Sequence, residues 1–453
     1  MSAFNLHTAD RKTLEGMQQE LLQQFEDLKS AGLNLDLTRG KPGSEQLDLS
    51  NKMDGILDGN YMSESNVDTR NYGGLDGLAE AKSLFAQALN CASENILIGG
   101  NSSLTLMYQT MLFAHIFGLE GPSSAWQNEK DVKFLCPVPG YDRHFSICEA
   151  FNITMIPVPM DDNGPVMDEV EALIKADPAI KGMWCVPRFS NPTGITYSDE
   201  TVDRIAQLGN IASDNFRVFW DNAYAMHILE TDADELASIS AACAKHGTEN
   251  SVLEFGSTSK ITFAGAGLAY MSASSANLAA MKQHLGITSI GPDKVNQLRH
   301  VKFFGDFDGL QAHMQKHADI LKPRFDIVLN ILQQHFSDND ALTWATPKGG
   351  YFVSVDTQAG LAKRVVALAA ELNVKLTPAG APFPYGNDPD DCNIRLAPSF
   401  PSLTEIEQAM QAFVADCDRA LTHPITGKVF ADKAELDAYQ AATGEDRRNS
   451  AGY

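Results

Sequence analysis

Lys260 closes the segment Ser257-Thr258-Ser259-Lys260, directly after the apolar run Val252-Leu253-Glu254-Phe255 and Gly256. A lysine in that place ends a buried strand and points into the crevice above a sheet. Most lysines are solvated surface groups, so position alone carries little. Four upstream segments give it weight: Gly100-Asn101-Ser102, Tyr141, Asn191-Pro192-Thr193-Gly194 and Asp221-Asn222-Ala223-Tyr224. Together they suit an aldehyde cofactor held on the Lys260 amine.

Asp221 follows the apolar run Arg217-Val218-Phe219-Trp220. A carboxylate at the end of a buried strand needs a partner. It is either a structural cap or ion pair, or the partner of a protonated pyridine nitrogen, which keeps the ring cationic and makes it an electron sink. Tyr224 and Asn191 are candidate donors to the phenolic oxygen of such a ring. Asn-Pro-Thr-Gly is also an ordinary turn signal, and its place before Asp221 is what makes it more specific. Gly99-Gly100-Asn101-Ser102-Ser103 opens a helix after Ile96-Leu97-Ile98. Free amides and the helix dipole suit a phosphate there, although plain helix capping explains the same residues equally well. Ser257 can reach the same phosphate. Tyr141 is a core aromatic or a ring that stacks on a flat ligand. His144, three residues on, shares its helical face and is either structural or a buttress for Asp221. Arg395 lies inside the apolar stretch Cys392 to Ala397. It requires an internal carboxylate, or its fork is kept for a substrate carboxylate. His313 and His317 are one helical turn apart. No glutamate completes a zinc motif, so a solvated helix face is expected and no metal.

Positioning these residues falls to the elements around them. Helical stretches near 75–90, 102–118, 141–151, 166–176 and 199–212 alternate with short apolar runs, among them Ile96–Ile98, Val132–Leu135, Ile153–Val158, Met183–Val186 and Arg217–Trp220. That alternation predicts an α/β fold with a mostly parallel sheet covered by helices on both faces. Ligands bind beyond the carboxyl ends of such strands, where most of the candidate residues fall. Past Lys260 the sheet pattern fades. A long helix is expected from about Asp308 to Gln334, kinked at Pro323. Strands near 351–355, 374–376 and 393–397, with helices near 360–371 and 403–421, predict a smaller α+β domain. An amphipathic helix is expected from Asp10 to Ser30, with Leu14, Met17, Leu21, Leu22, Phe25 and Leu28 on one stripe.

Composition narrows the classes. A chain of 453 residues exceeds one small core. The net charge of −23 argues against nucleic acid as a partner. No apolar run reaches membrane-spanning length, and no signal peptide is visible at the N-terminus. The seven scattered cysteines have no CxxC pair and read as reduced thiols, so a cytoplasmic protein is expected. Gly40-Lys41 lacks the upstream glycine of a phosphate loop, since Leu35 stands there.

The ordered set Tyr72, Gly100-Asn101-Ser102, Tyr141, Asn191-Pro192-Thr193-Gly194, Asp221, Tyr224, Ser257-x-Ser259-Lys260 and Arg395 resembles the fold-type I pyridoxal-phosphate enzymes, class I/II aminotransferases. With Arg39-Gly40-Lys41-Pro42-Gly43 it is most similar to their divergent aspartate aminotransferase subgroup. The resemblance covers roughly residues 30–420. It implies pyridoxal 5'-phosphate as cofactor, Lys260 as the Schiff-base lysine, Asp221 and Tyr224 beside it, and Arg395 as the clamp on the substrate α-carboxylate. It also implies Tyr141 on the ring, Tyr72 on the phosphate of a neighbouring subunit, Gly40 on the loop that closes over substrate, and a homodimer with shared sites. The implied division is 1–50 (helix and substrate-side loop, part of the small domain), 51–310 (large cofactor-binding domain), 311–425 (small domain) and 426–453 (C-terminal tail). One departure stands out. The family usually carries an arginine seven or eight residues after the lysine to grip the phosphate, and here Gly267 and Leu268 occupy those positions.

Arg39 and Lys41 place positive charge on the substrate-side loop, and Arg188 and Arg143 lie near Asn191 and Tyr141. Such charge suits a second, distal carboxylate. The expected reaction is therefore amino transfer between L-aspartate or L-glutamate and 2-oxoglutarate or oxaloacetate. Aromatic, alanine-like or kynurenine-like donors would use the same machinery. A non-catalytic, amino-acid-sensing regulator is the alternative from another class, but regulators of that kind carry a DNA-binding segment in front, and only one helix and no basic patch precede the sheet here. Lys260→Ala is expected to fold, by circular dichroism, and to lack the visible absorbance of a lysine-bound cofactor. A normal band in that variant would refute the lysine assignment.

Overall fold

In a computed structural model of the chain, residues 11–38, 40–337 and 341–421 are described. Arg39 and the expected tail at 426–453 lie outside them, as do the side chains of Leu14 and Met17. In chain order the strands are β1 (Leu35–Asp36), β2 (Ile96–Ile98), β3 (Lys133–Val138), β4 (Thr154–Asp161), β5 (Gly164–Pro165), β6 (Ile180–Cys185), β7 (Arg217–Asp221), β8 (Val252–Ser257), β9 (Ala269–Ala273), β10 (Leu342–Trp344), β11 (Val353–Thr357), β12 (Val374–Lys375) and β13 (Asn393–Leu396). The helices up to the end of the large sheet are α1 (Arg11–Ser30), α2 (Ser44–Asp48), α3 (Ala79–Ala88), α4 (Ser103–Ile116), α5 (Asp142–Ala150), α6 (Met167–Ala176), α7 (Asp199–Gln207) and α8 (Ile239–His246). After it come α9 (Ser275–Thr288), α10 (Lys294–Phe304), α11 (Phe307–Phe336), α12 (Ala362–Glu371) and α13 (Leu403–Leu421).

Eight strands form one sheet in the order β2-β9-β8-β7-β6-β3-β4-β5. β4, β3, β6, β7 and β8 pair in parallel, while β9 and β5 run antiparallel to their neighbours. Every residue of β6, β7 and β8 is buried. Along β7, Phe219 enters the core on one face, and Val218 and Trp220 enter the core on the other. That is the period-two alternation of a strand covered on both sides, and it explains the near-continuous apolar runs.

The sheet does not fade past Lys260. β9 wedges between β2 and β8, antiparallel to both. Its sequence, Ala-Tyr-Met-Ser-Ala, has little β-propensity of its own, and pairing on both edges makes it a strand. α9 and α10 follow it. The long helix is α11, which continues through Pro323 to Phe336. Beyond it, β10, β11 and β13 form an antiparallel sheet. β1 pairs in parallel with β12. Phe25, Leu35 and Leu37 share one core cluster with Leu321, Val353 and Phe413, so the N-terminal segment packs with the C-terminal part of the chain.

The large sheet positions the site by its winding. From β3 the chain adds β4 on one side, then returns to add β6, β7 and β8 on the other. This switch opens a crevice beyond the carboxyl ends of the strands. The segments after β3, β6, β7 and β8 carry Tyr141, Asn191, Tyr224 and Lys260 into it.

One buried group in the sheet gives stability a pH dependence. Glu254 on β8 is 3% exposed, and its Oε1 accepts from Asn222 Nδ2 at 3.0 Å. Burial pushes its carboxyl up to about 8 from an ordinary 4.5. Between those values the unfolded chain releases this proton first, so stability falls as pH rises. Glu254→Gln is expected to flatten that fall and to add on the order of 2–4 kcal/mol near pH 8. Urea midpoints measured from about pH 5 to about pH 8 check it.

Candidate active site

The crevice holds a cavity of about 170 Å³ lined by Tyr141, Asn191, Asp221, Tyr224, Ser257 and Lys260. Asp221 is the last residue of β7 and is 3% exposed. Its Oδ2 accepts from His144 Nε2 at 3.0 Å, and His144 stacks on Trp184 with ring centres 4.2 Å apart. Asp221 Oδ1 is buried with no hydrogen-bond partner among the described residues. A buried carboxylate oxygen left open in this way fits a cationic N–H donor supplied by a ligand.

The Lys260 amine lies 5.0 Å from the centre of the Tyr224 ring and 5.9 Å from that of Tyr351. Burial pushes its pKa down, opposed by the charge of Asp221. A lowered lysine pKa leaves more free amine near neutrality, the form that attacks a carbonyl or takes a proton. Burial pushes the Tyr141 hydroxyl up to about 12, and Tyr224 is raised for the same reason. Both phenols therefore stay protonated and serve as donors.

Four serines and the start of α4 border the cavity. Ser102 occupies the N-cap position of α4 and makes no side-chain cap bond. Ser102, Ser103, Ser257 and Ser259 line the cavity. Ser259 Oγ donates to Asn101 O at 3.1 Å, and Asn101 Nδ2 donates to Gly265 O at 3.4 Å. Gly100 leads into this turn, and Ala269 N–H donates to its carbonyl. Hydroxyls and the positive end of α4 suit a phosphate. Thr258, not a cation, fills the place beside positions 267 and 268. Its Oγ1 accepts from Leu268 N–H at 2.8 Å, and a Cβ on Gly267 would lie 2.9 Å from the same atom.

Arg395, on β13, does not itself line the cavity but contacts Asn191, which does, and is 7% exposed. Its Nη1 donates to Asn191 Oδ1 and to Asp142 Oδ1, each at 3.1 Å. Its Nε is buried and has no partner among the described residues. One corner of the guanidinium is thus fixed, and another donor remains open for an acceptor. Gly194, at φ +74°, closes the Asn191 turn against Pro347, where a Cβ would approach to 2.5 Å. Gly40 lies against Phe352, whose ring a Cβ would meet at 2.5 Å.

Other candidate residues stand away from the cavity. Lys41 is exposed, with Nζ 3.8 Å from the centre of the Phe400 ring. Arg188 donates to the carbonyls of Ala225 and Asp234. Arg143 is exposed beside Asp142. Tyr72 is 80% exposed and does not line the cavity. His313 and His317 are not on a solvated face. They are buried, and both Nε2 atoms contact Ile261 O, at 2.7 and 2.8 Å. Their helix packs on the segment after Lys260, a contact that spacing cannot reveal. No metal-ligating cluster occurs among the described residues. Sequence reasoning missed the cavity positions of Ser103, Val186 and Ala223, and the anchor Asp142 on Arg395. Only adjacency to a quoted motif could have flagged them.

A family profile described as aspartate amino-transferase matches residues 10–423. The chain belongs to the aspartate amino-transferase family. A protein of Mycolicibacterium smegmatis named as an aminotransferase is 47% identical over 417 residues, covering 90% of this chain and 96% of that one. The aspartate aminotransferase of Corynebacterium glutamicum is 44% identical over 418 residues, covering 92% of this chain and 96% of that one. The crystal structure of an aspartate transaminase from Corynebacterium glutamicum superposes with a TM-score of 0.89 at 43% identity, over 92% of this chain and 99% of the other. The chain is an aminotransferase with the α/β fold expected from its sequence. No helix among the described residues is long and apolar enough to cross a membrane.

Asp221→Ala is expected to lower kcat for transamination by about 10²–10³, the scale for removing one preorganised electrostatic partner. His144→Phe keeps the stack on Trp184 but frees Oδ2, so its expected loss is smaller. Steady-state rates of the two variants check the order.

Proposed function

We propose that the chain catalyses pyridoxal-phosphate-dependent transamination between L-aspartate or L-glutamate and 2-oxoglutarate or oxaloacetate. The open Oδ1 of Asp221, with Oδ2 held by His144, carries this reading. Bound pyridoxal phosphate would supply a carbonyl for the amino group and a protonated ring that accepts an electron pair. Asp221 Oδ1 would hold the ring N–H. Asn191 and Tyr224 would donate to its phenolic oxygen, and Tyr141 would stack on its face. Ser102, Ser257, Ser259, Asn101 and the amides at Gly100 would hold the phosphate. Lys260 Nζ would hold the cofactor through its carbonyl carbon between turnovers and, once displaced by the amino donor, would be free to take up the proton lost from the substrate α-carbon.

Arg395 would bind the substrate α-carboxylate while Asn191 and Asp142 keep its fork in register. A distal carboxylate requires a second cation. Arg39 and Lys41 flank Gly40 on the substrate-side loop, and Lys41 would have to leave Phe400 to act. The 44% identity to a protein named aspartate aminotransferase supports this substrate class.

A homodimer is part of the proposal. Tyr72, Ile287 and Ile290 are among the most exposed large side chains. Lys294 Nζ donates to the carbonyls of Asn71 and Gly73 at 2.9 and 2.5 Å. This fixes the turn that would present Tyr72 to a neighbouring subunit's phosphate. The same reading takes residues 51–310 as the large domain, 1–50 with 311–425 as the small one, and the cytoplasm as the compartment.

Turnover with 2-oxoglutarate tests the function. Aspartate is expected to exceed alanine, phenylalanine and kynurenine in kcat/KM by at least about tenfold, the ratio given by about 1.4 kcal/mol of extra transition-state binding. Arg39→Ala/Lys41→Ala should shrink that preference. An unchanged aspartate-to-alanine ratio in the double variant would sink the distal clamp, and turnover of none of these donors would sink the proposed function.

A further inference from the structure

The backbone of Lys260 is gripped from a side that amino transfer does not use. Gln46, on α2, is fully buried. Its Oε1 accepts from Gly43 N–H at 3.2 Å, which fixes which end of the amide is which. Its Nε2 then donates to Tyr351 Oη at 2.8 Å and to His317 Nδ1 at 3.1 Å. With Nδ1 accepting, His317 carries its hydrogen on Nε2, aimed at Ile261 O at 2.8 Å. With Oη accepting, Tyr351 has its own hydrogen for Lys260 O, 3.4 Å away. His227 Nε2 approaches the same carbonyl at 3.4 Å, and His313 Nε2 reaches Ile261 O at 2.7 Å. Burial holds His317 down to about 4 and His227 down to about 3, so both stay neutral and keep their donors in place.

The chain of donors has one direction, from the Gly43 amide to the carbonyls of Lys260 and Ile261. Its start is equally anchored. Ser399 Oγ donates to Lys41 O at 3.0 Å, and Arg324 joins Glu45 Oε2 at 2.9 Å to Pro401 O at 3.0 Å. Gly40 rests on Phe352, the residue after Tyr351.

We propose that Gln46 is a positioning residue. Its amide ties the substrate-side loop to the backbone of Lys260 and Ile261, so that the packed loop sets where the lysine amine sits. This rests on reading Lys260 as the reacting lysine. Buried networks of this kind hold one arrangement when every member is satisfied, and lose it as a unit when one donor is removed or reversed.

The test compares wild type, Gln46→Leu, Gln46→Glu and Tyr351→Phe. Hydrogen exchange is measured first on cofactor-free protein. Gln46→Leu is expected to speed exchange at 258–263, more than two hundred residues away in sequence, by about fivefold, the scale of one lost buried hydrogen bond. Gln46→Glu keeps the shape but accepts where the amide donates. It should speed the same amides, which a purely space-filling role would not do. Tyr351→Phe should act on 258–263, and adding Gln46→Leu to it should add little. In the holoenzyme, kcat should fall about tenfold with the amino-donor KM changed less than about twofold, since a displaced base loses rate and not binding. Faster exchange confined to 40–50, or a Gln46→Glu variant that behaves as wild type, would overturn the proposal. If Gln46→Leu does not fold, the Glu and Phe variants decide alone. Coupled exchange in a protein that turns over no amino donor would sink the proposed function and leave the coupling standing.

Discussion

A carboxylate at the end of a buried strand can be stable only if it is partnered, and it can act on a ligand only if it is not fully partnered. Asp221 meets both conditions. His144 holds one oxygen, Trp184 holds His144 by stacking, and the other oxygen has no partner among the described residues. An unpartnered buried acceptor costs free energy, and a cationic donor from a ligand would recover it. The neighbours follow from this. Tyr141 meets the edge of the same histidine, so a half-buried aromatic borders both the carboxylate support and the cavity. Lys260 lies close enough for Asp221 to oppose the loss of its proton, while burial favours that loss. In the proposed function, one carboxylate would thereby set the ligand's charge and temper the base.

Much of this was legible because a parallel sheet covered on both faces writes itself as apolar runs. The segment after each run leads into the crevice, and Tyr141, Asn191, Tyr224 and Lys260 lie three to six residues past the ends of their strands. The rule stops where structure depends on distant chain. β9 becomes a strand through its two neighbours and has no strong pattern of its own. The anchor of Arg395 comes from Asp142, 253 residues earlier. His313 and His317 have the spacing of an exposed face, yet α11 lays that face on the turn after the lysine. Gln46 looks like any polar residue in a short helix, and only its two distant partners, His317 and Tyr351, give it a role. Lys41 shows the reverse limit. Its sequence position beside Gly40 suggests the substrate, and its side chain lies on Phe400 instead.

The net charge of −23 sets a problem for a protein whose proposed ligands are all anions. The two proposed anion sites answer it differently. Beside the segment that carries Lys260, Thr258 Oγ1 contacts both Thr262 Oγ1 and His300 Nε2, and Asn296 donates to the carbonyls of Ala266 and Gly267. This neutral web shapes the turn where the family resemblance leads one to expect an arginine. What faces the proposed phosphate is a set of serine hydroxyls and the start of α4. For the substrate carboxylate, Arg395 offers a guanidinium held by Asn191 and Asp142.

That asymmetry has a consequence for how the two anions are held. Hydroxyls and backbone amides bind by direction at short range, and their grip changes little when the surrounding field changes. A guanidinium attracts over a longer distance, and exposed charges are screened by salt. A cofactor that stays through many cycles is suited to the first kind of site. A substrate that must be drawn in against a negative surface, and then released, is suited to the second. Under the proposed function, Gly267 and Leu268 in place of an arginine would be part of a division of labour, with the guanidinium of Arg395 where substrate exchanges and neutral donors where the cofactor remains.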